Sequence, residues 1–352
     1  MKIVSFNKEY PDPYFEYEDG EGVVNSICYN LPIDDLSDDI HVSDYSVELL
    51  INPMLSNQSD IFRLYVKQED QSKCDRQTVG AVFPVSALDS NDSIDRWLCE
   101  FLYVGFWQLL ERLNNVKDGD FSDNFESNVC VCVISKNLTK SDKPLHLCIH
   151  SLRKYGYCYF VENNSIKQVS GYKRERIIPA NKKSFNIEFK EPILYSHPMV
   201  DRILRDIGGA SNVIHRFVLL YQIIELLLED SVVEDVQKQY RIFISRGTSV
   251  NNYLEDIVRL HKEKERIKNI FKYCNIKDSE CDGFRKSYKN LLRKAGYNSI
   301  KEDLPNSFYD FRNQLTHSYR RLYANKLELC ETIQYFEQIV LLIVERYPRY
   351  LP

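Results

Sequence analysis

The sequence predicts an α+β domain over residues 1–196 followed by an all-α helical bundle over residues 197–352. Two observations carry this. The first part holds short apolar runs of strand length between polar turns, whereas the second has apolar positions at helical spacing almost throughout. Prolines thin out at the boundary: beyond Pro192 and Pro198 only Pro305 and Pro348 precede the terminal residue.

Taken in order, the first domain offers strands at Val47–Ile51, Ile61–Val66, Thr78–Val82, Val129–Ser135, Leu145–Ile149 and Tyr157–Val161, rich in β-branched, aromatic or other apolar residues. One helix is expected at Ser93–Asn114, with Ser93 as N-cap and Leu98, Phe101, Leu102, Phe106, Leu109 and Leu110 on one face. Lys117–Asn124 and Lys136–Lys143 read as loops. In the second domain, helices are expected at Asn212–Asp230, Val232–Phe243, Val250–Tyr273, Gly283–Ala295, Ser307–Tyr323 and Leu327–Tyr347. Asn306 or Ser307 can cap the fifth, and Ser307 with Asp310 resembles a capping box.

Composition narrows the function classes. Hydrophobic residues at 43% and charged residues at 28% are globular values. No apolar run reaches membrane-spanning length, and the N-terminus lacks a signal-peptide core, so a cytoplasmic protein without membrane contact is expected. Its ten cysteines should then be reduced. Charge is uneven: residues 1–60 hold 13 acidic and 2 basic side chains, against 21 and 25 in residues 197–352. The acidic segment repels nucleic acid, and the C-terminal half tolerates it. There is no Walker loop, Gly-x-Gly-x-x-Gly, Gly-x-Ser-x-Gly or His-Glu-x-x-His, which disfavours nucleotide hydrolysis and zinc proteolysis.

The most informative string is Asn306-Ser-Phe-Tyr-Asp-Phe-Arg312-Asn313-Gln-Leu-Thr-His317-Ser-Tyr319. On a helix of about 100° per residue, Phe308, Phe311, Leu315 and Leu322 form the packed face. Arg312 and Tyr319 fall at its edge, while Asn313 and His317 point nearly opposite. A permanent cation, a proton-transfer group and a polar orienting group together suit phosphodiester cleavage. A plain exposed histidine is the competing reading.

This segment resembles the Arg-x4–6-His motif of the HEPN superfamily, an all-helical group that includes many prokaryotic ribonucleases. The polar residue after the arginine is here Asn313, and the His-x-Tyr continuation is His317-Ser318-Tyr319. Upstream, Phe217-Val-Leu-Leu-Tyr221-Gln-Ile-Ile-Glu225 looks like the first helix of ApeA-like HEPN domains of phage-defence proteins. The resemblance spans roughly residues 205–352. It implies a metal-independent endoribonuclease without cofactors, acting on RNA, with tRNA among the candidates, and forming its site at a homodimer interface. It assigns catalysis to Arg312, Asn313 and His317, and makes Glu225 an ion-pair partner of Arg312. Tyr319 matches a position modified by partner transferases in some toxin systems. The implied setting is anti-phage abortive infection, with the N-terminal domain meeting a phage-derived trigger or a regulatory protein. The alternatives are a non-catalytic module that binds RNA or a partner, and a toxin controlled through Tyr319.

The sequence carries two further signals. Arg285, Lys286, Lys289, Arg293 and Lys294 cluster within one predicted helix, and with Arg320 they could track an RNA backbone, although an ordinary solvated face reads equally well. Cys130, Cys132, His146, Cys148 and His150 could converge on zinc if Val129–Ile134 and Leu145–Ile149 were neighbouring strands. Their spacing fits no zinc knuckle or ribbon, so no metal is expected.

Overall fold

The computed structural model describes residues 2–7, 14–18, 21–29, 40–52, 60–67, 76–89, 95–113, 117, 119–139, 144–153, 155–160, 183–187, 193–210, 212–247, 249–260, 262–297 and 304–348. The chain divides into two compact units, 1–160 with 175–190, and 161–174 with 191–352. The first is built on sheets and the second is mostly helical.

In the first unit, β1 (Lys2–Asn7), β2 (Tyr14–Glu18) and β3 (Val24–Cys28) form an antiparallel three-stranded sheet that the sequence reading did not anticipate. A six-stranded sheet follows the order β8-β4-β7-β6-β5-β9. Its strands are β4 (Tyr45–Ile51), β5 (Phe62–Lys67), β6 (Arg76–Pro84), β7 (Val129–Ser135), β8 (Cys158–Tyr159) and β9 (Ser184–Asn186). Neighbours are antiparallel except β5 and β9. Central β7 is buried along its whole length, as its unbroken apolar run demands.

Alternation on β7 supplies both cores. Val129, Val131 and Val133 join the cluster under helix α1 (Arg96–Leu110). Cys130, Cys132 and Ile134 join the cluster under α3 (Pro144–Arg153). Gly105 lets α1 approach closely, because a Cβ there would lie 3.0 Å from Phe83 and 3.4 Å from Val131. The helix starts after Asp95, not at Ser93, which lies outside the described residues together with Asn114. Lys136–Thr139 is a short helix, α2, rather than loop.

The segment Leu145–Ile149 is helix, not strand. Its Cys148, Ile149 and Leu152 are buried at helical spacing, and Pro144 suits a helix start. The alternation of His146, Cys148 and His150 is incidental. A helix there cannot pair with β7 as the zinc arrangement would require. Cys130, Cys132 and Cys148 do share one core, but no group of three or more candidate ligands able to hold a metal occurs among the described residues. The side chain of His146 lies outside them.

The second unit comprises α4 (Pro198–Asp206), α5 (Val213–Arg246), α6 (Val250–Leu260), α7 (Glu263–Tyr273), α8 (Asp282–Lys294), α9 (Leu304–His317), α10 (Tyr319–Tyr323) and α11 (Lys326–Arg346). Helix α4 is not among the helices expected from the sequence, where the prolines marked only the domain boundary. Pro198 in fact opens it, His197 caps it through Nδ1, and Val200, Ile203 and Leu204 are buried.

Helix α5 is one element rather than two. Asn212 caps its start, accepting from the amides of Ile214 and His215 at 2.7 and 3.2 Å. Gly247, at φ +60°, ends it in the left-handed region. At the expected break, Ser231 is buried and its hydroxyl donates to the Leu228 carbonyl, so the helix continues.

One core holds these helices apart from α6, with Phe217, Phe284, Phe308, Phe311 and Phe336 at its centre. A buried ion pair crosses it. Arg216 on α5 donates from Nε and Nη2 to Glu337 on α11 at 2.7 and 2.6 Å, and from Nη1 to the Ile207 carbonyl. No helix among the described residues is long and apolar enough to cross a membrane.

Candidate active site on helix α9

Helix α9 starts at Leu304, with Pro305 in its first turn, so Ser307 is a buried interior residue and not the cap. The expected packed face is observed: Phe308, Phe311, Leu315 and Leu322 are all buried. Arg312 is half-buried at the margin, Asn313 half-buried, and His317 exposed. The helix ends at His317. Ser318 leaves the helical region (φ −129°, ψ 21°), and α10 begins at Tyr319. Tyr319 packs against the helical core and lies 5.2 Å from the Tyr323 ring.

Arg312 is held from three sides. Nη1 donates to Asn313 Oδ1 at 3.0 Å. Nε stands 3.9 Å from Glu263 Oε1. The guanidinium carbon lies 5.7 Å from the Tyr221 ring centre, within cation–π range. The Tyr221 hydroxyl donates in turn to Glu263. Burial, and then that bond to Glu263, raise the Tyr221 pKa, so its hydroxyl remains a protonated donor. Glu263, Tyr221 and Arg312 thus form one polar cluster drawn from α7, α5 and α9.

The carboxylate in this cluster is Glu263, which corrects the expected pairing of Arg312 with Glu225. Glu225 is exposed on α5, one turn beyond Tyr221, while the first residue of α7 occupies the place beside the guanidinium. Glu263 was overlooked because it lies in the charged run Lys262-Glu-Lys-Glu-Arg, which reads as solvated surface. Its link to α9 is long-range, and no local spacing could signal it. Asn313 turns towards Arg312, which makes it an orienting group for the cation.

His317 has no hydrogen-bond partner among the described residues, nor does Nη2 of Arg312. The arrangement is a braced cation and, five residues on along the same helix, an unengaged imidazole. Such a pair can bind a phosphate and exchange a proton with a group beside it.

The six predicted RNA-contacting cations divide. Arg285 is engaged by Asp282 at 2.6 Å and Asp278 at 3.5 Å, and Lys294 is paired with Glu328. Lys286, Lys289, Arg293 and Arg320 have no ion-pair partner among the described residues, and all but half-buried Lys289 are exposed. On α8 the first three share one side, opposite buried Phe284 and Leu291.

No family model matches this chain, and no curated protein and no solved structure matches it significantly.

Proposed function

We propose that the helical unit is a metal-independent endoribonuclease of HEPN type. The observation that supports this most is the bracing of Arg312 by Glu263, Tyr221 and Asn313, with an exposed, unengaged His317 five residues on along the same helix. In this reading Arg312 binds the scissile phosphate and stabilises charge growing on its oxygens. His317 moves a proton. The ribose 2′-oxygen attacks phosphorus, the bond to the 5′-oxygen breaks, and the products are a 2′,3′-cyclic phosphate and a 5′-hydroxyl.

That reaction removes one proton from the 2′-hydroxyl and delivers one to the leaving oxygen, on opposite sides of phosphorus. A single imidazole serves one side, so a second copy of the chain supplies the other. Lys286, Lys289, Arg293 and Arg320 would steer the RNA backbone. The setting suggested by the resemblance is anti-phage abortive infection, with tRNA among the substrates and the sheet unit sensing a phage-derived trigger or regulatory protein in the cytoplasm.

The test is RNA cleavage by the full chain in EDTA, compared with Arg312→Ala and His317→Ala, with product ends identified. Loss of cleavage in both variants and cyclic phosphate ends are expected. Undiminished cleavage in either variant overturns the assignment. Retained RNA binding without cleavage in the unaltered protein would favour a binding module built on the free cations of α8.

A further inference from the structure

From Phe311 to Leu327 the chain carries Arg312, His317, Arg320, Arg321 and Lys326 and no aspartate or glutamate. The stretch runs from the middle of α9 through α10 into the first turn of α11. A run without acids leaves a polyanion unopposed along it. It also presents an aromatic ring: Tyr323, the last residue of α10, is 47% exposed.

Leu315 on α9 and Leu322 on α10 are buried in the same core and give both helices a common reference. Counted round the axis from each leucine at about 100° per residue, Arg312, Asn313 and His317 fall at about 60°, 160° and 200°. Tyr319, Tyr323 and Arg320 fall at about 60°, 100° and 160°. The two sets share one sector, so Tyr323 and Arg320 continue the side of α9 that bears the candidate site. Arg321 falls outside that sector, and its guanidinium carbon lies 6.0 Å from the ring centre of Tyr297, just past α8. Tyr323 is six positions beyond His317, a rise of about 9 Å at helical spacing.

The ring is also seated. Tyr319, itself packed on the helical core, stands 5.2 Å from it and backs it. Arg320, three positions away, has no ion-pair partner among the described residues. A single exposed tyrosine is ordinary surface. A backed ring with an unpaired guanidinium beside it, in the sector of the braced Arg312, is more than that. It offers what a single-stranded nucleic acid takes: a stacking plane next to cations that follow the backbone. A base inside a duplex has its faces covered by its neighbours, so only an unpaired nucleotide can meet the ring.

We propose that Tyr323 stacks on a nucleobase of an unpaired RNA segment, close along the strand to the phosphate that Arg312 binds, with Arg320 holding a phosphate between them. Tyr323 thereby selects unpaired over paired strands and takes no part in the chemistry. In taking RNA as the ligand of this side of α9, the proposal rests on the reading above. Its test reads binding, whereas the earlier one reads cleavage, so either can fail alone.

The probe is a fluorescent oligouridine of about 12 nucleotides with every 2′-oxygen methylated, which blocks attack on phosphorus. Anisotropy with the full chain should show binding to the single strand, and binding weaker by about tenfold or more once the strand is paired with oligoadenosine. Tyr323→Ala should weaken the single-strand complex by about 5- to 100-fold, and Tyr323→Phe, which keeps the ring face, by less than about twofold. An abasic chain of the same length and charge should bind the unaltered protein and Tyr323→Ala alike, because the base and the ring act as a pair. A ring that merely supported the fold would weaken both chains equally when removed. No binding of the single strand, equal binding of strand and duplex, a loss in Tyr323→Phe as large as in Tyr323→Ala, or an equal effect of Tyr323→Ala on the base-bearing and abasic chains overturns the proposal.

Discussion

The two units place their chemically capable side chains in opposite environments. In the sheet unit, Cys130, Cys132 and Cys148 are shut inside one core, and burial pushes their thiols up, Cys130 to about 12. A thiol so buried is a small hydrophobe, not a nucleophile. In the helical unit, Arg312, Asn313 and His317 are at or near the surface, and the neighbouring core serves to aim the cation. Residue types alone would rank the Cys/His strings and the Arg/His string alike; burial separates them.

The sharpest way to break this contrast is at the surface. His317→Ala and Arg312→Ala are each expected to reduce cleavage by about 10²–10⁴-fold. His317→Ala should change unfolding free energy by less than about 0.5 kcal/mol, because the side chain is exposed. Urea unfolding beside a cleavage assay measures both. Next comes the core of the same unit. Glu337→Ala leaves Arg216 charged, buried and without its carboxylate, and should cost about 3–5 kcal/mol in urea unfolding.

Smaller effects test the sheet unit. Cys132→Ser places a hydroxyl in an apolar core and should cost about 1–3 kcal/mol while leaving cleavage unchanged. Native-state alkylation should reach exposed Cys28 well before Cys130, Cys132 or Cys148. The smallest effect concerns pH. The paired guanidinium of Arg346 holds the Glu280 carboxyl at about 2, below the ordinary 4.5. A lowered folded-state value gives stability that is present above the ordinary value and lost as pH falls through it towards 2. The pair is largely solvated, so Glu280→Gln should cost no more than about 1 kcal/mol at neutral pH. The difference from the unaltered protein should vanish near pH 2 in thermal melts.

The sequence was most legible where one face or one full run is buried. Val129–Ser135 read as a strand, and the apolar faces of α1, α8, α9 and α11 were set by Leu and Phe at helical spacing. It failed where two periods overlap: at residues 145–149, the polar alternation of His146 and His150 masked the helical set of Cys148, Ile149 and Leu152. Breaks were also misjudged. Ser231 satisfies its own hydroxyl inside α5, whereas Ser318 and Lys262 leave the helical region and divide segments that periodicity joins. Strand β9 is three residues long, too short to carry a pattern. For the site, the Arg–Asn–His string was visible, but its bracing was not. Glu263 reaches Arg312 from 49 positions away in sequence, and only the packing of α7 on α9 reveals it.

Helix α5 belongs to the core over its first half and runs on beside α6 over its second, where Phe243 stacks on Tyr253, with no break in its backbone. Amide protons along this single helix should therefore exchange at graded rates: slowly up to about Ser231, where opening requires loss of the core, and faster beyond Asp235, where fraying from Gly247 suffices.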